Sequence, residues 1–376
     1  MEKYYLGMSG CPIHGNTVQL SNDISMPALG LDDDSMKRIA AEITENTLIH
    51  KELFDYTHKN LISGIDNVYG NLKYDDPQFS LVQQMKRNLA HFAGFKSYHQ
   101  THHIRQAKPE QLPAINASYN VNWMRTEYVH TVRSAGGAKN WQRYEADKDL
   151  YPFLEYMPST AAEPRNEHKR LYGVIKPVDD PFWDTWMPPN DWGCRCSVKQ
   201  VRNNADAVEP PEDIKLPPKA MRNNPGKTGI IITDQHPMIG RVSGQQKPSL
   251  LKEIQRFEFV DNRNKTIEYV TKNYLGKSLL LKGNKIKFTK SGLMKAINQP
   301  HKNYLIKNTI IIQLNNLFKN ASFVKSIDPL PKRKATIRKT HIYSANIAGE
   351  KNYILIWEYK KTHEMVFHTI VDKLRK

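Results

Sequence analysis

Residues 167–196, EHKRLYGVIKPVDDPFWDTWMPPNDWGCRC, constrain the fold of this chain more than any other stretch. They hold three of its six tryptophans, with prolines at Pro181, Pro188 and Pro189 and a cysteine pair at Cys194 and Cys196. Proline removes a backbone donor and fixes φ, so no long helix or central strand fits here. Aromatic side chains each bury a large apolar area, so Phe182, Trp183, Trp186 and Trp192 predict an aromatic mini-core under a rigid loop. Arg195 is expected to bond backbone carbonyls or a carboxylate. His168, Cys194 and Cys196 are three donors of the kind zinc prefers. The cysteines are, however, one residue apart where zinc pairs are commonly two or more apart, and a fourth ligand is not evident among His91, His99, His102 and His103. A structural role is therefore expected, with no metal and no cofactor. A Cys–His nucleophile pair lacks a recognisable oxyanion-stabilising element.

The regions around this cluster differ in periodicity. Ile39, Ile43, Leu48, Leu53 and Ile62 drift along one helix face, Asp34 or Ser35 can cap the first helix, and residues 79–95 repeat the pattern. Residues 116–144 predict a helix interrupted at Gly136 and Gly137, and residues 151–157 a short strand. Residues 203–252 are rich in Pro, Gly, Asn and Lys and read as a linker, with a strand-like run only at 230–233. Beyond them the sequence predicts a helix at 265–274, a hairpin turning at Gly283 and Asn284, and helices at 291–298 and 304–319 separated by Pro300. Strands follow at 337–345, 353–359 and 365–371. The expectation is a multidomain α+β protein. It comprises an extension (1–33), a mainly helical part with a Pro/Trp/Cys-rich α+β segment (34–202), a linker (203–252) and a small α+β domain with an antiparallel sheet (253–376).

Charge separates these parts. Residues 1–250 hold 29 Lys/Arg against 29 Asp/Glu, whereas residues 251–376 hold 26 against 9, which is the whole net charge of +17. A small domain this basic attracts polyanions, above all nucleic acid, or an acidic protein partner. No apolar run approaches the roughly 18 residues that span a bilayer, and the first residues lack a signal-peptide layout, so no membrane partner is expected. Three cysteines form no disulfide framework, and Cys194 and Cys196 are too close for an unstrained bridge, which fits a reducing, cytoplasmic setting.

His168, Leu171-Tyr172-Gly173, Asp180-Pro181-Phe182-Trp183, Pro188-Pro189-Asn190 and Cys194-Arg195-Cys196 occur in an order that resembles the phage head morphogenesis family of Mu F-like minor head proteins, over about residues 34–202. The resemblance implies a virion component of low copy number, at the capsid interior or portal, whose partners are portal and other capsid proteins in the host bacterial cytoplasm during assembly.

The last segment carries Phe288-Thr289-Lys290-Ser291-Gly292, Ala296-Ile297 before Pro300, Lys339-Thr340-His341 and Phe367-His368-Thr369-Ile370. In layout it resembles the barnase, EndoU, colicin and RelE-like nucleases that follow such head proteins, over about residues 255–373. The resemblance implies a metal-independent ribonuclease or toxin acting on RNA rather than DNA, and a toxin would call for an immunity partner. That chemistry needs a general base, a general acid and cations at the phosphorane. His341 and His368 are the candidate proton carriers, Glu358 an alternative base, Arg338 a phosphate-facing cation, and Tyr343, Ser344 and Thr369 hydroxyls near the scissile group. Lys290, Lys332, Arg333, Lys334, Lys339 and Lys361 are candidate nucleic-acid contacts. His301 and His363 read as surface residues. The competing expectation is a purely structural virion protein whose basic domain binds nucleic acid or a capsid partner without catalysis.

Overall fold

The structure, a computed structural model, describes residues 24, 26–347 and 349–374. Cys11 and most of the expected 1–33 extension lie outside the described residues. The chain forms two units, residues 1–71 with 81–254 and residues 72–80 with 255–376. Both mix helices and strands, as the sequence predicts.

In the first unit α1 (Asp33–Glu42) is capped two residues before the nearer expected cap, by Asp32, whose side chain accepts from the Ser35 amide at 2.7 Å. Helix α2 (Lys51–Tyr69) buries Leu53, Phe54, Leu61 and Ile65. Helices α3 (Phe79–Gln106) and α4 (Met124–Ala146) follow, α4 being entered through a π-helical stretch at Ala117–Trp123. Lys96 of α3 and Glu127 of α4 form an ion pair at 2.5 Å in which both side chains are 0% exposed. The predicted break at Gly136 and Gly137 is absent, and α4 runs through both. A Cβ on Gly137 would lie 3.0 Å from the Pro188 carbonyl, so this glycine serves a close approach of the proline loop.

The Pro/Trp/Cys-rich segment contains a three-stranded antiparallel sheet in the order β2-β1-β3, built from β1 (Phe153–Met157), β2 (Ile175–Pro177) and β3 (Ser197–Val201). Short helices α5 (Asn166–Lys169) and α6 (Phe182–Trp186) lie between the strands in sequence. Trp183 and Trp186 join Trp141, Tyr156, Leu171 and Val174 in one core, with Phe182 packed against it. Trp192 departs from the expected mini-core and packs instead on His130 and His236, with ring centroids 5.0 and 5.9 Å away. Burial pushes those two histidines down to about 4 and about 3, so both are neutral in this setting.

Residues 203–252 belong to the first unit. They form short helices at Pro225–Thr228 and Pro237–Gly240 and bury Met221, Ile231, Ile232, Met238 and Ile239. Asn88 of α3 pins this stretch, its Oδ1 accepting from the amides of Ile231 and Ile232 at 2.9 and 3.0 Å and its Nδ2 donating to the Ile232 carbonyl at 2.9 Å. A composition that reads as linker therefore folds here because several of its large apolar residues are buried.

Helix α7 (Lys247–Asn273) enters the second unit after Ile254. The hairpin of β4 (Ser278–Leu281) and β5 (Asn284–Lys287) turns at Lys282 and Gly283, both with positive φ. Then come α8 (Lys290–Asn298), α9 (Tyr304–Ile311), α10 (Leu314–Asn320), β6 (Ser322–Ile327), β7 (Ile337–Ile347), β8 (Glu350–Tyr359) and β9 (Met365–Val371). The sheet order is β4-β5-β9-β8-β7-β6, antiparallel throughout except for the β5–β9 pair, which is parallel. Strand β6 is an addition to the sequence expectation, and the helix expected over 304–319 is divided between α9 and α10. Gln313, at that division, bonds the backbone of Tyr74 and Leu72 at 2.8 and 3.1 Å, while Asn316 and Asn320 donate to Asp75 at 2.6 and 2.7 Å. These bonds tie residues 72–80 into this unit.

Helix α8 rests on β9 backbone to backbone: a Cβ on Gly292 would fall 2.0 Å from the Phe367 carbonyl oxygen. Phe288, Leu293, Ile297, Phe318, Ile356 and Phe367 fill the core between helices and sheet. The C-terminus of α8 is satisfied by the buried ammonium of Lys307, which donates to the carbonyls of Ala296, Ile297 and Gln299 at 2.6, 3.0 and 2.9 Å. Burial pushes the Lys307 pKa down to about 7.

Candidate functional site

The second unit gathers three of the sequence candidates, His341, Glu358 and Arg338, in one cluster on β7 and β8. Ser326 of β6 stands opposite His341 of β7, and its Oγ lies 2.7 Å from His341 Nδ1. The other ring nitrogen, Nε2, is 3.0 Å from Glu358 Oε2 on β8. These partners assign the tautomer: Nε2–H donates to the carboxylate, leaving Nδ1 to accept the serine hydroxyl. Arg338 sits where the β7–β8 register slips, and that bulge turns its guanidinium onto Glu358 Oε1 at 2.5 Å. His363, held with positive φ in the turn after β8, reaches the same oxygen at 3.1 Å. The Glu358 side chain is only 11% exposed. Burial pushes its carboxyl up, but hydrogen bonds from His363, Arg338 and His341 outweigh this and bring it down to about 2.

That depressed pKa has a consequence for acid stability. A carboxylate held below its ordinary 4.5 contributes stability that is fully present above that value and is lost as pH falls toward about 2. Glu358→Gln is expected to remove this contribution, making the stability of the second unit flatter between those pH values. Circular dichroism of both proteins in urea at a series of pH values tests it. An unchanged acid dependence would show that the carboxylate network does not stabilise the folded state.

The other candidates do not converge on this cluster. Trp357 and Glu358 are consecutive on β8 and therefore face opposite sides of the sheet. His368 stacks on Trp357 with centroids 3.5 Å apart and planes 17° apart, which places it on the side away from His341. Burial, with Arg333 and Lys295 nearby, pushes His368 down to about 4, so near neutrality it has no acid proton to give. The expected two-histidine pair is thus corrected to His341 with Glu358. Tyr343 and Thr369 are buried, the former within the hydrophobic core, and Ser344 takes the opposite face from His341. Arg333 lies 4.2 Å over the Trp357 ring, Lys339 is paired with Asp328 at 2.8 Å, and Lys290, Lys332, Lys334 and Lys361 are exposed. His301 bonds Asn352 at 2.7 Å. Ser326 and His363 are the members that sequence reasoning missed: SFVKSI lacks apolar alternation, and a turn histidine carries no local signal.

In the first unit the motif residues each have a local task. Asp180 Oδ1 accepts from the Phe182 amide at 2.8 Å and so starts α6. Gly173, at φ +79, exchanges backbone bonds with Tyr156 and Val208 at 3.0 Å. A cis bond joins Pro188 to Pro189. The role expected of Arg195 falls to Arg165, which pairs with Asp191 at 3.4 Å and donates to the Trp192 carbonyl at 2.7 Å, while the Arg195 carbonyl accepts from Thr160. Buried His168 presents Nδ1 to Cys194 Sγ at 3.6 Å and Cys196 Sγ at 3.7 Å. Hydrogen bonding from Cys196, and then from His168, holds the Cys194 thiol well below its ordinary pKa, whereas the Cys196 thiol is pushed up. Both cysteines border a cavity of about 200 Å³ that Arg133 and Asn140 of α4 also line. The α3 histidines lie elsewhere: His91 near Asp234, His99 on the Met238 carbonyl, His102 on Gln106 and His103 against Tyr119.

Comparison with known proteins agrees with part of the sequence reading. Residues 85–199 match the family model described as Phage Mu protein F like protein. Protein F of Escherichia phage Mu, described as a capsid assembly protein, is 36% identical over 98 residues, which are 26% of this chain and 20% of that protein. The Mu-like prophage FluMu F protein of Haemophilus influenzae is 42% identical over 57 residues, 15% of this chain and 14% of that protein. The matched segment thus covers a fifth or less of either relative's length. Residues 258–364 match a different model, Large polyvalent protein-associated domain 3, and this match lends no support to the nuclease resemblance expected there. No solved structure matches the chain. Among the described residues no helix is long and apolar enough to cross a membrane.

Proposed function

We propose that this chain is a minor head protein of a phage or prophage, associated with the capsid interior or portal, whose basic second unit engages nucleic acid and cleaves RNA without a metal. The Mu F-like segment, with every motif residue from His168 to Cys196 in order, carries the first half of this reading. The Ser326–His341–Glu358–Arg338 array carries the second. A ribose 2′-hydroxyl taking the place of the Ser326 hydroxyl at His341 Nδ1 would meet a general base whose far nitrogen is anchored by a carboxylate. Arg338 and the exposed Lys332 and Lys334 supply cations for phosphate. A cell making such an activity would need an immunity partner or sequestration in the virion.

The saturation of Glu358 by three cationic or potentially cationic partners favours a second reading, in which the array is a cross-strand staple and the unit binds nucleic acid or an acidic capsid partner without catalysis. One experiment separates them. The full chain is incubated with tRNA, total RNA and single-stranded DNA in excess chelator, and in parallel is co-expressed with the capsid genes of a Mu-like phage. RNA cleavage together with recovery of the chain in purified proheads is the expected result. Binding without cleavage removes the enzymatic half, and absence from proheads removes the head-protein half.

A further inference from the structure

We infer that His168, Cys194 and Cys196 bind a zinc ion through Nδ1 and the two Sγ atoms. This inference concerns the first unit alone and stands whether or not the second unit is catalytic.

The donor geometry is that of a metal site closed around an ion. Tetrahedral zinc with Zn–N near 2.05 Å and Zn–S near 2.3 Å sets the nitrogen-to-sulfur separation at about 3.6 Å. The observed separations are 3.6 and 3.7 Å, and all three donor atoms lie within 4.8 Å of one another. The one-residue spacing that argues against zinc from sequence alone has a structural answer. Cys194 and Cys196 lead into β3, and in extended chain residues two apart project to the same side, so the pair meets one ion without a turn between them. Gly193, with φ +69, brings the chain round from Trp192 into that run, and the Cys194 amide is fixed on the Asp191 carbonyl at 3.1 Å. The third donor comes from α5, a helix of one turn, where His168 points inward with 6% exposure.

Among the described residues, the neighbours supply no further ligand. Asp191, the nearest carboxylate in sequence, is engaged by Arg165 and by the Trp192 amide at 2.7 Å. The α3 histidines have partners or packing elsewhere. Three ligands come from the described residues, and the cavity of about 200 Å³ bordered by both cysteines leaves room for a water at the fourth position. Zinc with three protein ligands and an open position is exchangeable and polarises its bound water, unlike a four-ligand structural site. The ion ties the α5 turn to the start of β3 and so closes the loop that holds the Pro/Trp motif.

The test uses the full chain purified without chelator or polyhistidine tag. Zinc is measured by plasma mass spectrometry before and after dialysis against a chelator. The apo protein is then reloaded with cobalt(II), whose near-ultraviolet thiolate charge-transfer band and intense visible bands report sulfur ligation in a four-coordinate site. Expected are stoichiometric zinc, a cobalt spectrum with both features, and loss of charge-transfer intensity in Cys194→Ser and Cys196→Ser. In the wild-type chain, peptide-mapped alkylation should be slow at Cys194 and Cys196 with zinc and fast without it. This arm remains informative if the serine variants fail to fold. A folded wild-type chain that retains no zinc, gives no charge-transfer band with cobalt, or alkylates equally with and without zinc overturns the inference.

Discussion

Glu127→Ala is expected to lower the unfolding free energy of the first unit by about 3–5 kcal/mol, the cost of leaving a buried charge without its partner. Lys96 is 0% exposed, with Glu127 Oε2 2.5 Å from its ammonium. Burial alone already depresses the Lys96 pKa, and Glu127 is the group that supports the charged form. Without that carboxylate the lysine must lose its proton or the α3–α4 interface must open. The double variant Lys96→Met, Glu127→Leu replaces both charges with apolar groups of similar size and should recover most of the loss, because a buried ion pair and a hydrophobic pair are often close in net stability. Urea unfolding followed by tryptophan fluorescence measures both. A single-variant loss below about 1 kcal/mol would mean that water reaches the lysine and that the pair is not an organising element.

The second large effect belongs to the nucleic-acid reading. If the second unit cleaves RNA, His341→Ala should reduce the rate by about 10²–10⁴-fold, the usual contribution of a positioned general base. Ser326→Ala should leave the rate nearly unchanged, since the serine only occupies the site that the ribose hydroxyl would take. His368→Ala should act through packing on Trp357 and not through the pH profile. Affinity should survive His341→Ala but fall, with a shallower salt dependence, when Lys332, Arg333 and Lys334 are all replaced by alanine. Cleavage that persists in His341→Ala would place the chemistry elsewhere or in a contaminant.

Much of the fold was legible where pattern and burial agree. The alternation of β7 and β8 is visible because one face carries Tyr343, Ala345, Ile354 and Ile356, all core residues, whereas in β9 Phe367 and Ile370 share the core only through a register slip against β8. Strand β6 was not visible, because all six of its residues are exposed and nothing in SFVKSI alternates. Gly136 and Gly137 read as a break by intrinsic preference, yet α4 runs through both, and Gly137 lets the helix approach the Pro188 carbonyl. Residues 203–252 misled by composition: a few well-placed apolar side chains and one asparagine are enough to dock a Pro/Gly-rich stretch. His341 and Glu358 were identifiable as candidates from residue type. Their joining with Arg338 depends on a register slip that leaves no mark in the sequence. Lys96 and Glu127 each look like polar-face residues of amphipathic helices, and only their shared burial sets them apart.

The strap at residues 72–80 bears on how such a protein could exchange modules. Tyr74 and Asp75 are made long before their partners Gln313, Asn316 and Asn320, and the chain of the first unit is completed between them. The second unit is therefore not encoded by one continuous stretch of the gene. Recombination that replaced everything after residue 254 would deliver a sheet and helices whose division at Gln313 had lost its native backbone partners. A graft that keeps the unit whole must carry two separated pieces of coding sequence, which favours inheritance of the two units together.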